Sequence, residues 1–412
     1  MESTAKAELQ IEKVTDGTIT SPKGFMADGL HAGLKKEGKK DLGVIVSEVP
    51  AKAAAVYTMN HFQAAPLKVT QESLATEGKI QAVICNSGNA NACTGKEGMQ
   101  HAYTMRKATA DMLSIPEHYV AVASTGVIGE QLPIETITNG ISKLAPTNDV
   151  ASGLHFNQAI LTTDLTEKQA CFQTIIDGEL VTIAAAAKGS GMIHPNMATM
   201  LGFLTTDAEV EQASLQTALR QVVNETFNCI TVDGDTSTND TVLVMANGKA
   251  ENTPLDEDHP EWEKFYTALK MTCEEMAKAI AFDGEGATKL IEVQVEGAET
   301  NEDASIIAKR IVGSSLVKTM VYGADANWGR IICAVGYSEA QVDPNVIDVY
   351  LGTVQMLKEG QPIPYSEEEA TASLKQDEVF IKVDLNIGDG KAKAWGCDLT
   401  YDYVKINASY RT

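Results

Sequence analysis

Residues 188–201 read Lys-Gly-Ser-Gly-Met-Ile-His-Pro-Asn-Met-Ala-Thr-Met-Leu, which gathers an amine, two hydroxyls and an imidazole into one short stretch. A hydroxyl becomes a useful nucleophile only when a neighbouring group takes its proton. Ala198-Thr199-Met200, taken singly, is a strand threonine beside apolar neighbours. His194 precedes Thr199 with Pro195 between them. That spacing does not define a nucleophile–base contact, so a local structural or solvent-facing role suits the histidine. Asp233-Gly-Asp-Thr-Ser-Thr-Asn-Asp240 has the look of a metal loop but lacks the twelve-residue calcium pattern and its terminal acidic ligand. Structural or active-site support is the expected role there, not calcium. Gly388-Asp-Gly lacks the strand and helix that a phosphate or dinucleotide site requires. Lys188 and Glu285, each alone, read as solvated surface charges.

These groups need elements to hold them. Gly43–Val49, Ala54–Met59 and Ile80–Cys85 have strand character. A tight loop is expected from Cys85 to Gly95, followed by a helix over Lys96–Leu113. Tyr119–Ser124 reads as a strand that runs into Thr125-Gly126, and Ile134–Leu144 as a helix. Strand-like Ala170–Ile176 and Leu180–Ala186 lead into the lysine-to-leucine stretch, and strand-like Met200–Thr205 leaves it. Helices are expected over Glu209–Val223 and Glu261–Ala281, the latter from the spacing of Trp262, Phe265, Leu269, Met276 and Ile280. Lys289–Val295, Val317–Val321, Ile331–Val335 and Val379–Leu385 read as further strands, and Glu367–Glu369 as a solvent-facing loop or helix start. The sum is a mixed α/β or α+β protein with several strands in each half.

Composition narrows the function classes. The 412 residues are 44% hydrophobic, enough for two or more compact units with a large core. Thirty-three basic against 56 acidic side chains leave a formal charge of −23, which opposes binding to a phosphate backbone, so no nucleic-acid partner is expected. The start of the chain has no signal-peptide core and no later segment is apolar for about 18 residues, so no membrane partner is expected and a cytoplasmic protein is. Cysteines at 85, 93, 171, 229, 273, 333 and 397 show no zinc-site spacing and read as buried reduced thiols.

The order of several motifs carries more than any one of them. The 188–201 stretch, Ser124-Thr125-Gly126-Val-Ile-Gly129, Asp233–Asp240, Phe282-Asp-Gly-Glu285-Gly-Ala-Thr288, Gly323-Ala-Asp-Ala-Asn-Trp-Gly-Arg330 and the terminal Asn407-Ala-Ser-Tyr-Arg-Thr412 together resemble the ornithine acetyltransferase family, also called bifunctional glutamate N-acetyltransferase, over essentially the whole chain. The resemblance implies an α+β (mixed α/β) fold of sheets packed against helices, of the self-cleaved N-terminal-nucleophile type. It implies cleavage between Ala198 and Thr199, giving an α chain of residues 1–198 with an N-terminal α/β domain. The β chain of residues 199–412 would complete that core and add a C-terminal α/β domain. Thr199 would be the nucleophile, and its freed α-amine, with a reference pKa of about 7.7–8.0, would serve as base.

By the same resemblance, Thr125 and Gly126 form the oxyanion hole, and Thr162, Lys188, Thr199, Glu285, Asn407 and Thr412 bind substrate. Lys188 would meet a carboxylate or the acyl donor, Glu285 the amine end of ornithine, and the C-terminal tail would fold back over the pocket. The implied reaction moves acetyl from N2-acetylornithine to glutamate through acetyl-threonine, with acetyl-CoA as a possible second donor. No cofactor or metal is expected, and the α and β chains are expected to assemble as a heterotetramer or larger. An N-terminal-nucleophile amidase or aminopeptidase would share the self-cleavage but hand the acyl group to water. A noncatalytic amino-acid-binding protein would bind ligand without any covalent adduct.

Overall fold

The computed structural model describes residues 9–36, 38–195 and 200–409. They divide into two compact units. Residues up to Gly189, 200–224 and 236–276 form the first, and 190–195, 225–235 and 277–409 the second.

A nine-stranded sheet carries the first unit. Its first strands are β1 (Glu12–Lys13), β2 (Phe25–Leu30), β3 (Leu42–Tyr57), β4 (Lys79–Asn89) and β5 (Val120–Val127). β6 (Lys168–Ile176), β7 (Glu179–Lys188) and β8 (Leu201–Thr206) follow. β9 (Ile230–Thr231) belongs to the second unit, and β10 (Thr241–Ala246) completes the first. The strand order is β1-β6-β7-β8-β10-β3-β4-β5, with β2 paired to β3. β8 with β10 and β4 with β5 run parallel, and the other pairs are antiparallel.

Ile45, Val83 and Ala121 join one buried cluster with Phe156 and Phe203, while their neighbours Val44, Ile84 and Val122 join another with Met105 and Ile137. Alternate residues thus point into separate cores. With both faces covered, these strands read as nearly continuous apolar runs instead of alternating ones. The helices Ala65–Glu77 and Gly95–Leu113 lie against β5, and Val150–Ile160 lies against β2 and β3.

The second unit is built on a seven-stranded sheet in the order β14-β13-β12-β15-β11-β16-β9. Its later strands are β11 (Leu290–Ala298), β12 (Asp348–Leu351), β13 (Val354–Lys358), β14 (Gln361–Pro362), β15 (Glu378–Asp384) and β16 (Gly390–Cys397). The helix Asn301–Gly313 packs on β11 and β16. The Thr300 hydroxyl caps it by accepting from the Asp303 N–H at 3.1 Å, Glu302 and Asp303 occupy its first turn, and Arg310 its last. Those charges oppose the helix dipole at each end.

Several elements differ from expectation for identifiable reasons. Val317–Val321 and Ile331–Val335 lie in the helices Ser315–Gly323 and Gly329–Gly336, not in strands. Short β-branched apolar runs suit either state once buried, and here the Ser314 side chain caps the first of these helices by accepting from the Val317 N–H. The two runs around Pro50 are one strand, β3, whose register against β4 shifts between Val46 and Ala51. Proline removes a donor, and a bulge accommodates it without ending the strand. β4 continues to Asn89, so the expected loop begins later than Cys85. The helix from Ile134 stops at Ile141, and Glu367 starts a helix capped by Ser366, as the acidic cluster suggested. No helix among the described residues is long and apolar enough to cross a membrane. Cys93 and Cys333 are exposed free thiols, contrary to the reading of all seven as buried.

Candidate functional site

Thr125 and Gly126 sit just before the last residue of β5, Val127, so they belong to the strand and do not merely follow it. Gly126 has φ +130°, and a Cβ there would sit 2.3 Å from the carbonyl carbon of Gly88 and 2.5 Å from the nitrogen of Asn89. Only glycine lets the backbone of β5 lie against β4 in this way. β7 closes on Lys188, whose Nζ donates to the Thr125 hydroxyl at 3.3 Å. Lys188 and Thr125 are 8% and 9% exposed, so the lysine is no surface charge. A cation and a hydroxyl held together away from water can steady negative charge developing on an acyl oxygen.

One carboxylate organises the ground beside them. Asp164 accepts from the Thr162 N–H at 2.9 Å, from Lys168 Nζ at 2.8 Å and from the Gly189 N–H at 2.7 Å. The Thr162 hydroxyl also lies 3.4 Å from it. Its ion pair with Lys168 has both side chains fully buried. Burial pushes the Asp164 carboxyl up, but Lys188, Lys168 and the donated hydrogen bonds outweigh it and hold the group below the usual carboxylate range. Asp164 therefore fixes the backbone at Thr162 and next to Lys188, a role that sequence reading missed. No local pattern marks it, because its partners lie as far as 25 positions away.

In the second unit, Glu285 is 7% exposed, and its carboxylate rests on Gly191, where a Cβ would come within 2.4 Å of it. The Glu285 N–H donates to the Ser190 carbonyl at 3.1 Å. Asn407, on the helix Tyr401–Ala408, donates through Nδ2 to Glu285 Oε2 at 2.8 Å. This ties the last turn of that helix to the buried carboxylate. Thr400 begins this helix, its hydroxyl donating to the Gly286 carbonyl at 2.7 Å.

Asp233 accepts from the N–H groups of Met192 at 2.7 Å and Ile193 at 3.0 Å, which is structural support and leaves its oxygens engaged by backbone. His194 Nδ1 lies 3.0 Å from the Thr231 hydroxyl, a local structural contact. Burial and the nearby Lys309 bring its pKa down to about 4, so the ring is neutral near neutral pH. Lys309 itself is lowered to about 8 by burial and donates to the Pro195 carbonyl.

Of the expected site residues, Thr125, Gly126, Thr162 and Lys188 gather at one end of the first sheet, and Glu285 and Asn407 pair in the second unit. Ala198, Thr199 and Thr412 lie outside the described residues.

The match that decides the affiliation is the ArgJ family model, which covers residues 26–412. The chain belongs to the ArgJ family. It is 63% identical over 407 residues to the arginine biosynthesis bifunctional protein ArgJ of Geobacillus kaustophilus, covering 99% of both chains. It is 60% identical over 406 residues to the protein so named from Bacillus subtilis, covering 98% of this chain and 99% of that one. Among solved structures, ArgJ of Bacillus halodurans is 61% identical, over 46% of this chain and 98% of that one, with a TM-score of 0.45. Membership in the ArgJ family makes the protein an acyltransferase enzyme of amino-acid biosynthesis.

Proposed function

We propose that the protein transfers acetyl from N2-acetylornithine to glutamate in the cytoplasm, through an acetyl ester on Thr199, and also makes N-acetylglutamate from acetyl-CoA and glutamate. The observation that carries this reading is the buried Lys188–Thr125 contact at the glycine-dependent end of β5, within a chain of this family. In the first event the Thr199 hydroxyl attacks the Ala198 carbonyl, the amide becomes an ester, and water releases residues 1–198 from 199–412. β7 and β8, which flank the cut, are antiparallel neighbours with Lys188 opposite Leu201, so sheet hydrogen bonds keep the two chains together. The α and β chains then assemble as a heterotetramer or larger.

In the cycle, the α-amine of Thr199 takes the hydroxyl proton as oxygen attacks the acetyl carbonyl. Thr125 and Gly126 stabilise the oxyanion, the proton passes to the departing amine, and ornithine leaves. The amine of glutamate attacks the ester and carries the acetyl group away. Lys188 and Thr162 hold the substrate carboxylate, while Glu285, Asn407 and Thr412 hold the side-chain end.

Rapid-quench mass spectrometry with acetyl-labelled acetylornithine, followed by glutamate, tests the scheme. Label is expected first on Thr199 of a cut protein and then on acetylglutamate. A fully active protein with an intact 198–199 bond, or label reaching glutamate with no protein adduct, would overturn it. Label released as acetate without need of glutamate would assign an amidase instead.

A further inference from the structure

The polar loop before β10 holds a side chain with no assigned part in the reaction. Asn239 is 5% exposed and donates through the same Nδ2 to the carbonyls of Ala90 at 2.6 Å and Ser124 at 2.8 Å. Its orientation is set by Thr238, whose hydroxyl donates to Asn239 Oδ1 at 2.6 Å, so the amide nitrogen must face the two carbonyls. Those carbonyls lie just past the end of β4 and near the end of β5, the two strands whose backbones touch at Gly88 and Gly126. The Ala90 N–H in turn donates to the Val127 carbonyl at 2.9 Å. On the far side of Ser124, its hydroxyl donates to Asn86 Oδ1 at 2.6 Å and Asn86 Nδ2 donates to the Asn89 carbonyl at 2.9 Å.

We infer that Asn239 is a positioning residue for the oxyanion-stabilising pair: it holds the Ser124–Thr125 peptide plane and thereby the direction in which Thr125 and Gly126 present their donors. The peptide group is planar, so fixing the Ser124 carbonyl fixes the Thr125 N–H and the exit of the chain into Gly126. A buried carbonyl deprived of its donor would rotate to find another. The donors would then miss the developing charge in both half-reactions while the groups that bind substrate stay in place. This role rests on the acetyl-transfer reading above.

The test uses the full chain, with turnover normalised to the fraction cut at 198–199 by intact mass. Asn239→Asp keeps the shape and removes both donors. It is expected to lower kcat about 100-fold, in the range for a lost oxyanion donor, with KM for acetylornithine within about threefold and both acetylation and deacetylation slowed alike. Thr238→Val is expected to show the same split at about tenfold, and Thr238→Ser to restore kcat. An Asn239→Asp enzyme that turns over within twofold of the parent overturns the role, as does a fall in kcat/KM that comes only through KM. If Asn239→Asp does not fold, a folded Thr238→Val enzyme with parental kcat overturns it equally. A parent protein that moves no acetyl group removes both this role and the proposed function, whereas an active parent with unaffected variants removes this role alone.

Discussion

The charged groups of the two units are held in different ways. Around Asp164 in the first unit, Lys168, Lys188 and Thr125 are buried at strand ends and engaged by backbone and by one another. In the second, the buried Glu285 takes its Asn407 partner from the helix Tyr401–Ala408, which has no buried residue of its own. A site whose charges are part of the core couples chemistry to folding. A partner delivered by a surface helix can be altered with little effect on folding, so substitutions should separate the two regions by what they damage.

The largest effect is expected at the core charges. Lys168→Met leaves the Asp164 carboxylate without its fully buried partner, and breaking such a pair typically costs about 3–5 kcal/mol. Urea denaturation should show that loss in the midpoint, and a midpoint unchanged from the parent would dissolve the contrast between the units. Gly126→Ala comes next. Its Cβ meets the Gly88 backbone and its φ of +130° suits no L side chain, a combined penalty of about 2–4 kcal/mol. Stability should fall by that amount and acetyl transfer should be lost in whatever protein remains folded.

The same contrast explains how much of the molecule was legible in the chain. Long periodic segments announce themselves: Trp262–Phe282 forms a helix where Trp262, Phe265, Leu269, Met276 and Ile280 require one. Short apolar runs do not, since Val317–Val321 packs as well in the capped helix Ser315–Gly323 as it would in a strand. The helix Val150–Ile160 went unseen although Asp149 caps it by accepting from the Ser152 N–H, because its apolar residues show no clear stripe. Thr125, Lys188 and Glu285 could be named only through resemblance to a family, since burial of a charge is a tertiary fact. Asp164 was not named even so, and within the Asp233–Asp240 motif nothing singled out Asn239: the Gly189 N–H that Asp164 holds and the Ala90 and Ser124 carbonyls that Asn239 holds are distant in sequence, and no spacing rule connects such partners.

Acid should divide the units in a measurable way. Asp164 has a depressed carboxyl pKa, so its contribution to stability is present above the unfolded value of about 3.9 and is lost only as pH falls through the lower folded value. The stability difference between the parent and Asp164→Asn should therefore stay constant from neutral pH down to about 4 and shrink only in stronger acid. His194 also has a depressed pKa, about 4 against 6.5. Its unfolded form takes up a proton first, so stability present above 6.5 drains away as pH falls towards 4. A His194→Gln protein should lose less stability across that window than the parent, and equal losses would remove the histidine from the account.

The smallest effect on folding is expected at Asn407, and it is the sharpest test of the comparison. Its amide donates to Glu285 Oε2 at 2.8 Å and to the Tyr403 carbonyl at 3.1 Å from an exposed position. Asn407→Ala breaks the tie to Glu285 but leaves that carboxylate resting on Gly191, so the denaturation midpoint should move by no more than about 0.5 kcal/mol equivalent. If Asn407 and Glu285 hold the amine end of the substrate together, losing one ordinary hydrogen bond should raise KM for acetylornithine about fivefold and leave kcat nearly unchanged. A drop in kcat with constant KM would place Asn407 in the chemistry itself, and the division between a core that works and a helix that binds would no longer hold.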